Sequence, residues 1–149
     1  MNYPEFEHQE RIQQKFDPFM QKHGYKLTNK YKGLIEYTKD KWIVRIMLSR
    51  FDEFEVNLVS VNAAEIIEKV GYPVNWVLEL FGIPLHPNLT EEMYVNTKEQ
   101  ADANASIVCE ALDLHILPRL DSDKELPEKL LAYSKEKTAA YNARHTKKS

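Results

Sequence analysis

Apolar and polar residues alternate between residues 25 and 61, and this alternation constrains the fold more than any other feature of the sequence. The clearest run places every second residue on one side of a strand: Trp42, Val44, Ile46 and Leu48. A second run has the same spacing: Phe54, Val56 and Leu58. A period of two is typical of half-buried β-strands. The segment therefore predicts a four-stranded antiparallel meander.

The turns between the predicted strands set the expected pairing. We expect Leu27 opposite Ile35 across residues 29–33, Tyr37 opposite Trp42 across Lys39-Asp40, and Leu48 opposite Phe54 across residues 50–52. A slip of one residue would turn every side chain to the other face, so these three pairings together define one apolar face. We expect the N-terminal helix to pack on that face.

The opposite face of the predicted sheet keeps apolar side chains among charged ones. Ile43 is expected directly across from Val59. A second helical layer would bury these residues, whereas contiguous exposed apolar surface would mark an interface. For the second interpretation, the candidate partner-binding residues on this face are Ile43, Arg45, Met47 and Val59.

Length and composition predict one globular domain over residues 1–149. Hydrophobic residues make up 43% of the chain and charged residues 29%. No stretch approaches the roughly 20 apolar residues of a membrane span, and residues 1–10 lack the apolar run of a secretory signal. The single Cys109 excludes an internal disulfide and fits a reducing compartment. We therefore expect a cytoplasmic protein with no membrane partner.

The negative charge is concentrated after the predicted meander. The net charge is −3, yet residues 62–120 carry nine acidic side chains against three basic ones, a balance of −6. Such a surface disfavours nucleic acid, whose binding needs phosphate neutralisation, and would steer a basic protein partner. Acidic helices also serve solubility alone. The candidate steering residues are Glu91, Glu92 and Glu99.

Helix signals flank the meander on both sides. Pro4 is placed to start an N-terminal helix, which Asp17-Pro18 should kink or restart. Thr97-Lys98-Glu99-Gln100 forms a capping box that opens the longest helix. The predicted C-terminal helices cover residues 63–70, residues 74–81, Thr97 to about Leu117, and a last helix from Pro127. The expected fold class is α+β, with the sheet packed by the N-terminal helix and three to four C-terminal helices.

Short catalytic and metal-binding motifs are absent from the sequence. Five histidines lie in five separate segments, and four glycines form no phosphate-binding loop. Asp113 and His115 do not face each other on a helix. Cys109 is expected to be buried and inert. We therefore predict no catalytic residue, no metal and no cofactor.

Aromatic residues collect in the irregular segment between residues 71 and 96. They are Tyr72, Trp76, His86 and Tyr94. They would either line a pocket or cover the edge of the sheet.

The order of elements suggests a comparison with known proteins. The first element is a helix that leads into the sheet through Phe19-Met20-Gln21-Lys22-His23-Gly24-Tyr25-Lys26-Leu27. The meander then contains Trp42-Ile43-Val44-Arg45-Ile46-Met47-Leu48 and Glu55-Val56-Asn57-Leu58-Val59. After it comes a helix that ends in Leu112-Asp113-Leu114-His115-Ile116-Leu117-Pro118-Arg119-Leu120. This order resembles small bacterial α+β proteins encoded beside secreted toxins, the immunity-protein type. The resemblance implies a non-catalytic protein that binds and blocks one toxin domain.

Three functional hypotheses follow from the sequence. The leading one is a non-catalytic cytosolic protein-binding module, an inhibitor of a partner toxin or enzyme. The second is a small-ligand-binding protein or enzyme with a pocket near residues 71–96. The third is a structural homodimer joined through a sheet face or edge.

Overall fold

An N-terminal helix leads into an antiparallel sheet and further helices follow, which confirms the predicted α+β class. The structure is a computed structural model that describes residues 8–49, 53–89 and 93–146. The helices are α1 (Gln9–Lys22), α2 (Ile66–Val70), α3 (Val74–Leu80), α4 (Lys98–Ala111), α5 (Leu117–Ser122) and α6 (Leu126–Thr146). The strands are β1 (Lys26–Tyr31), β2 (Leu34–Lys39), β3 (Trp42–Leu48), β4 (Glu53–Ser60), β5 (Tyr72–Pro73) and β6 (Met93–Tyr94).

Strands β1 to β4 form the predicted meander, and two further strands extend it. Both β5 and β6 have two residues and pair with β4. Strands this short carry no alternation, so the sequence pattern did not show them. The predicted register of β3 and β4 is confirmed, with Leu48 opposite Phe54 and Ile43 opposite Val59. The turn at residues 50–52 lies outside the described residues.

The predicted pairing of β2 with β3 was wrong by two residues. Trp42 lies opposite Lys39, and Tyr37 lies opposite Val44, so the turn is Asp40-Lys41. Asp40 has a φ of 53°, a left-handed conformation that Asp tolerates better than most residues with a side chain. A shift of two residues keeps every side chain on its face, so the apolar face was still assigned correctly.

The predicted pairing of β1 with β2 was also wrong. Strand β1 continues to Tyr31, the turn lies at residues 32–33, and Leu27 faces Tyr37 rather than Ile35. A bulge between Leu27 and Asn29 shifts the register. Leu27 is 42% exposed, so it does not join the core as predicted. Strand β1 is the outer edge of the sheet.

Helix α1 covers the predicted core face of the sheet. Ile12, Phe16 and Met20 recur every four residues and are fully buried. The helix continues through Pro18 without the predicted restart. The hydroxyl of Tyr37 donates to Asp17 Oδ1 at 2.5 Å, which fastens the helix to β2 beside the proline. The predicted start at Pro4 lies outside the described residues.

The long helix predicted from Thr97 is divided into three segments. Helix α4 gives way to a π-helical segment, Leu112–Ile116, which leads into α5. Thr97 caps α4 as predicted, since its Oγ1 accepts from the Gln100 N–H at 3.0 Å. The Gln100 side chain accepts instead from the Asn96 N–H at 2.8 Å, one residue outside the predicted capping box.

Candidate functional site

The outer edge of β4 is interrupted near its middle. Strand β6 pairs with Glu53 and Phe54, and β5 pairs with Asn57 and Leu58. Within residues 8–49, 53–89 and 93–146, no strand pairs with β4 between these two positions on that side. The described residues of the sheet therefore leave a gap along this edge.

The backbone of Val56 points into this gap. The Ser49 N–H donates to the Glu53 carbonyl at 3.0 Å, and the Val61 N–H donates to the Lys41 carbonyl at 2.8 Å. These bonds show that the odd-numbered residues of β4 direct their backbone groups toward β3. Backbone groups alternate in direction along an antiparallel strand. The N–H and C=O of Val56 therefore point outward, and the gap presents one donor and one acceptor.

A cleft of about 360 Å³ opens at the same place, between the edge of β4, α3 and α6. Its apolar lining comes from β4, α3, the segment around β6, and α4: Phe54, Val56, Val74, Leu89, Met93 and Val108. All six of these residues are buried. The volume lies within the range of ordinary ligand pockets, which are mostly apolar with a few polar groups.

One wall of the cleft is built by aromatic and basic side chains from two helices. Trp76 belongs to α3, and Lys137, Tyr141 and Arg144 belong to α6. Lys137 Nζ lies 5.1 Å from the centre of the Trp76 ring. It also forms an ion pair with Glu79 Oε2 at 2.5 Å. The charge of Lys137 is therefore already paired within the wall.

Glu79 also holds the middle of α6 in place. The Tyr133 hydroxyl donates to Glu79 Oε2 at 2.9 Å. Desolvation and this bond to the carboxylate raise the pKa of Tyr133 to about 12, so the hydroxyl keeps its proton at neutral pH. The two contacts fasten α6 to α3 along one side of the cleft.

Two exposed charges of opposite sign complete the lining. They are Glu55 on β4 and Arg144 on α6. Neither forms an ion pair with any other described residue. Within the described part of the chain, the lining therefore includes one carboxylate and one guanidinium that form no ion pair.

The candidate residues of the second sheet face lie under or beside α2. Val59 is only 4% exposed, because the turn at Gly71 packs on it, so it presents no surface to a partner. Ile43 and Met47 are half-buried. Arg45 donates from Nε to Glu36 Oε2 at 2.7 Å and from Nη1 to the Lys69 carbonyl at 3.1 Å. The predicted patch is therefore partly covered.

Of the three acidic candidates, the structure describes only Glu99. Glu99 is exposed in the first turn of α4, and Glu91 and Glu92 lie outside the described residues. Apolar surface missed by the sequence reasoning lies on and beside α2: Val61, Ile66 and Val70, of which Ile66 is 80% exposed.

The side chains of Asp113 and His115 lie at different sites, as their spacing on a helix predicted. Asp113 Oδ1 lies 2.7 Å from His23 Nε2 and 2.9 Å from Lys22 Nζ, and these partners lower the pKa of the carboxyl. His115 lines a separate cavity that also contains His86. The Asp113 contacts tie the end of α1 to the π-helical segment.

Cys109 lies in the core between α4 and α1. Its Sγ is 3.7 Å from the Lys15 carbonyl, and burial raises the pKa of the thiol to about 12. The thiol therefore stays protonated, as an inert cysteine does. Among the residues the structure describes, no three His, Cys, Asp or Glu side chains are arranged to hold a metal ion.

In the aromatic segment between residues 71 and 96, some residues cover the edge of the sheet and another lines a pocket. Tyr72 and Tyr94 lie in β5 and β6 and cover the edge of β4. Trp76 lines the cleft. The contribution of α6 was missed, although the spacing of Lys137, Tyr141 and Arg144 puts all three on one helix face.

Comparison with protein-family models, with curated proteins and with solved structures found no match to this chain. None of the helices in the described part of the chain is long and apolar enough to cross a membrane.

Proposed function

We propose that this protein is a small-ligand-binding protein whose ligand occupies the cleft between β4, α3 and α6. The observation that carries the proposal is the combination of a buried apolar lining with a few polar groups at one side. Such a lining gains free energy by removing apolar ligand surface from water, at about 25 cal/mol per Å². The polar groups would fix the orientation of the ligand.

The chemistry of the lining supports binding rather than catalysis. Its ionisable side chains are Glu55, Lys137, Tyr141 and Arg144, and none of the described lining residues is a histidine, cysteine or serine. A nucleophile with an adjacent general base is the usual basis of acyl or group transfer. A non-catalytic role in the cytoplasm is part of the proposal, supported by the single buried Cys109.

Binding of 1-anilinonaphthalene-8-sulfonate, followed by its fluorescence, tests the cleft. This probe has an apolar body and a charged group, and we expect saturable one-to-one binding. Thr138→Phe would fill part of the cleft from α6 and should weaken binding about tenfold or more. Ala140→Phe is the matched control, since Ala140 is exposed on the same helix and does not line the cleft. Equal binding by both variants would refute the site.

Protein binding on the second sheet face is the other candidate function. The observation that favours it is the exposed apolar surface on α2, where Ile66 and Val70 lie four residues apart. The order of elements, which resembles bacterial immunity proteins, supports a toxin domain as the partner. Exposed Glu99 would contribute to steering a basic partner.

Size-exclusion chromatography with light scattering, and titration with any toxin domain encoded by the neighbouring gene, test this second candidate. Val70→Asp should abolish the complex and leave the melting temperature nearly unchanged. Ala103→Asp adds the same charge at an exposed position of α4 and serves as the control. A dimer that Val70→Asp dissociates would favour the homodimer hypothesis instead.

A further inference from the structure

We infer that the second half of α6, residues 135–144, is a lid that opens to admit the ligand of the cleft and closes over it. This inference rests on the proposed function and adds a conformational step to the same site. Two observations lead to it. One face of α6 passes from the core onto the cleft, and polar side chains hold the part that lies on the cleft.

One face of α6 has two different surroundings along its length. Leu126, Leu130 and Ser134 recur every four residues and are all buried. The next residues on this face come three and four positions after Ser134, and they line the cleft: Lys137 and Thr138. The first half of the helix therefore packs on the core, whereas the second half lies over the space that we assign to a ligand.

The second half of α6 is the less buried half. Every residue from Lys135 to Arg144 is half-buried or exposed, and Tyr141 is 55% exposed. A segment with few buried apolar contacts opens locally at a lower free energy than the core does. Residues 135–144 can therefore move off the cleft while Leu126 and Leu130 keep the start of the helix in place.

Two ion pairs hold the lid to the helices beside the cleft. Lys135 Nζ lies 3.0 Å from Glu65 Oε2, just before α2, and Lys137 Nζ lies 2.5 Å from Glu79 Oε2 on α3. The four side chains are between 29% and 51% exposed, so dissolved salt reaches them. The screening length falls from about 10 Å at 0.1 M ionic strength to about 3 Å at 1 M. The closed state should therefore weaken as the ionic strength rises.

A bound ligand would supply the packing that the second half of α6 lacks. Val56, Val74 and Val108 are buried and line the cleft from the side of the core, and Thr138 and Tyr141 line it from the lid. A ligand between them is enclosed and leaves only when the lid opens. Association and dissociation therefore both pass through the open state, and both rates increase with the population of that state.

Stopped-flow fluorescence with N-phenyl-1-naphthylamine tests the lid. This probe is apolar and uncharged, so salt does not change a charge attraction between probe and protein. The test variant, Lys135→Gln with Glu79→Gln, removes both ion pairs and leaves the net charge unchanged. At low salt it should bind and release the probe about threefold faster than the wild type or more, with a smaller change in affinity. In 1 M NaCl the wild type should approach the rates of the variant.

The matched control is Lys124→Gln with Glu136→Gln. Both residues are exposed, neither lines the cleft, and the double change also leaves the net charge unchanged. We expect the control to show the rates and the salt dependence of the wild type. If the probe binds but the test variant has the same rates as the control, the inference is overturned and the proposed function stands.

Acrylamide quenching of Trp76 fluorescence follows the opening without a ligand. The full chain carries Trp42→Phe in all variants, so Trp76 is the only tryptophan. Acrylamide is uncharged, and the test variant keeps the Lys137 side chain that lies 5.1 Å from the ring. Quenching should increase in the test variant relative to the control, because opening of α6 uncovers the ring, and equal quenching would contradict the lid. If neither the naphthylamine nor the naphthalene sulfonate binds, the proposed function fails and the inference fails with it.

Discussion

Helices α1 and α6 are the first and last helices of the described chain, and they are held in different ways. Helix α1 inserts Ile12, Phe16 and Met20 into the core at intervals of four residues along its length. Helix α6 is longer, yet its large buried side chains are Leu126 and Leu130, both near its start. The rest of α6 is positioned by polar contacts.

This difference separates the part of the molecule that holds the fold from the part that forms the cleft. Lys135 reaches Glu65, and Lys137 reaches Glu79, so polar side chains connect α6 to α2 and α3. Exposed ion pairs contribute little to stability, typically about 0–1 kcal/mol each. The cleft therefore has one wall fixed by the core, at β4 and α4, and one wall that can adjust at small energetic cost.

The largest expected effect is in the core beneath α1. Phe16→Ala should lower the free energy of unfolding by about 3–5 kcal/mol, because Phe16 is fully buried and the change leaves a cavity. Tyr141→Ala on α6 removes a side chain that is 55% exposed and should cost under about 0.5 kcal/mol. Urea denaturation of both variants measures the contrast. Similar losses would show that α6 is as integral to the core as α1.

Gly71 tests how closely the end of α2 packs on β4. Its φ is +96°, and an added Cβ would lie 2.8 Å from Val59 Cγ2 and 2.9 Å from the Leu58 carbonyl oxygen. Gly71→Ala should therefore cost about 2–3 kcal/mol through strain and overpacking. Gly82→Ala is the control, with a φ of +72° and no atom within 4 Å of the added Cβ, and should cost about 1 kcal/mol. Comparing the thermal unfolding of the two variants separates the cost of crowding at Gly71 from the cost of a positive φ, which both positions share.

The pH dependence of stability should differ between the two regions. The pKa of Cys109 is raised from 9.0 to about 12 by burial, so the unfolded chain loses this proton first. The contribution of this thiol to stability is therefore complete below pH 9 and is lost as the pH rises from 9 toward 12, by at most about 1.4 kcal/mol per pH unit. Cys109→Ala should flatten this fall in denaturant titrations. Tyr133→Phe on the partly exposed α6 should change the slope less, since solvent screens that hydroxyl.

The same contrast explains how far the sequence could predict the structure. Alternation located strands β2 to β4 and the faces of Trp42 and Val56, because burial on one side imposes a period of two. It misplaced the turn at Asp40, since a shift of two residues leaves the pattern unchanged. It misplaced the turn at Gly33 as well, where a bulge in β1 changes the register. The gap at Val56 was not predictable, because it depends on two-residue strands distant in the chain.

The most informative change for the cleft is at Glu79, where the expected effect on stability is small. Glu79→Gln removes the ion pair to Lys137 and weakens the bond from Tyr133, and should cost under about 1 kcal/mol in unfolding. Amide hydrogen exchange should speed up in residues 138–144 and remain slow in α1, because only α6 depends on these contacts. Glu136→Gln, an exposed change one residue from Lys137, should alter neither measurement. Unchanged exchange in Glu79→Gln would mean that α6 is held by its buried leucines alone.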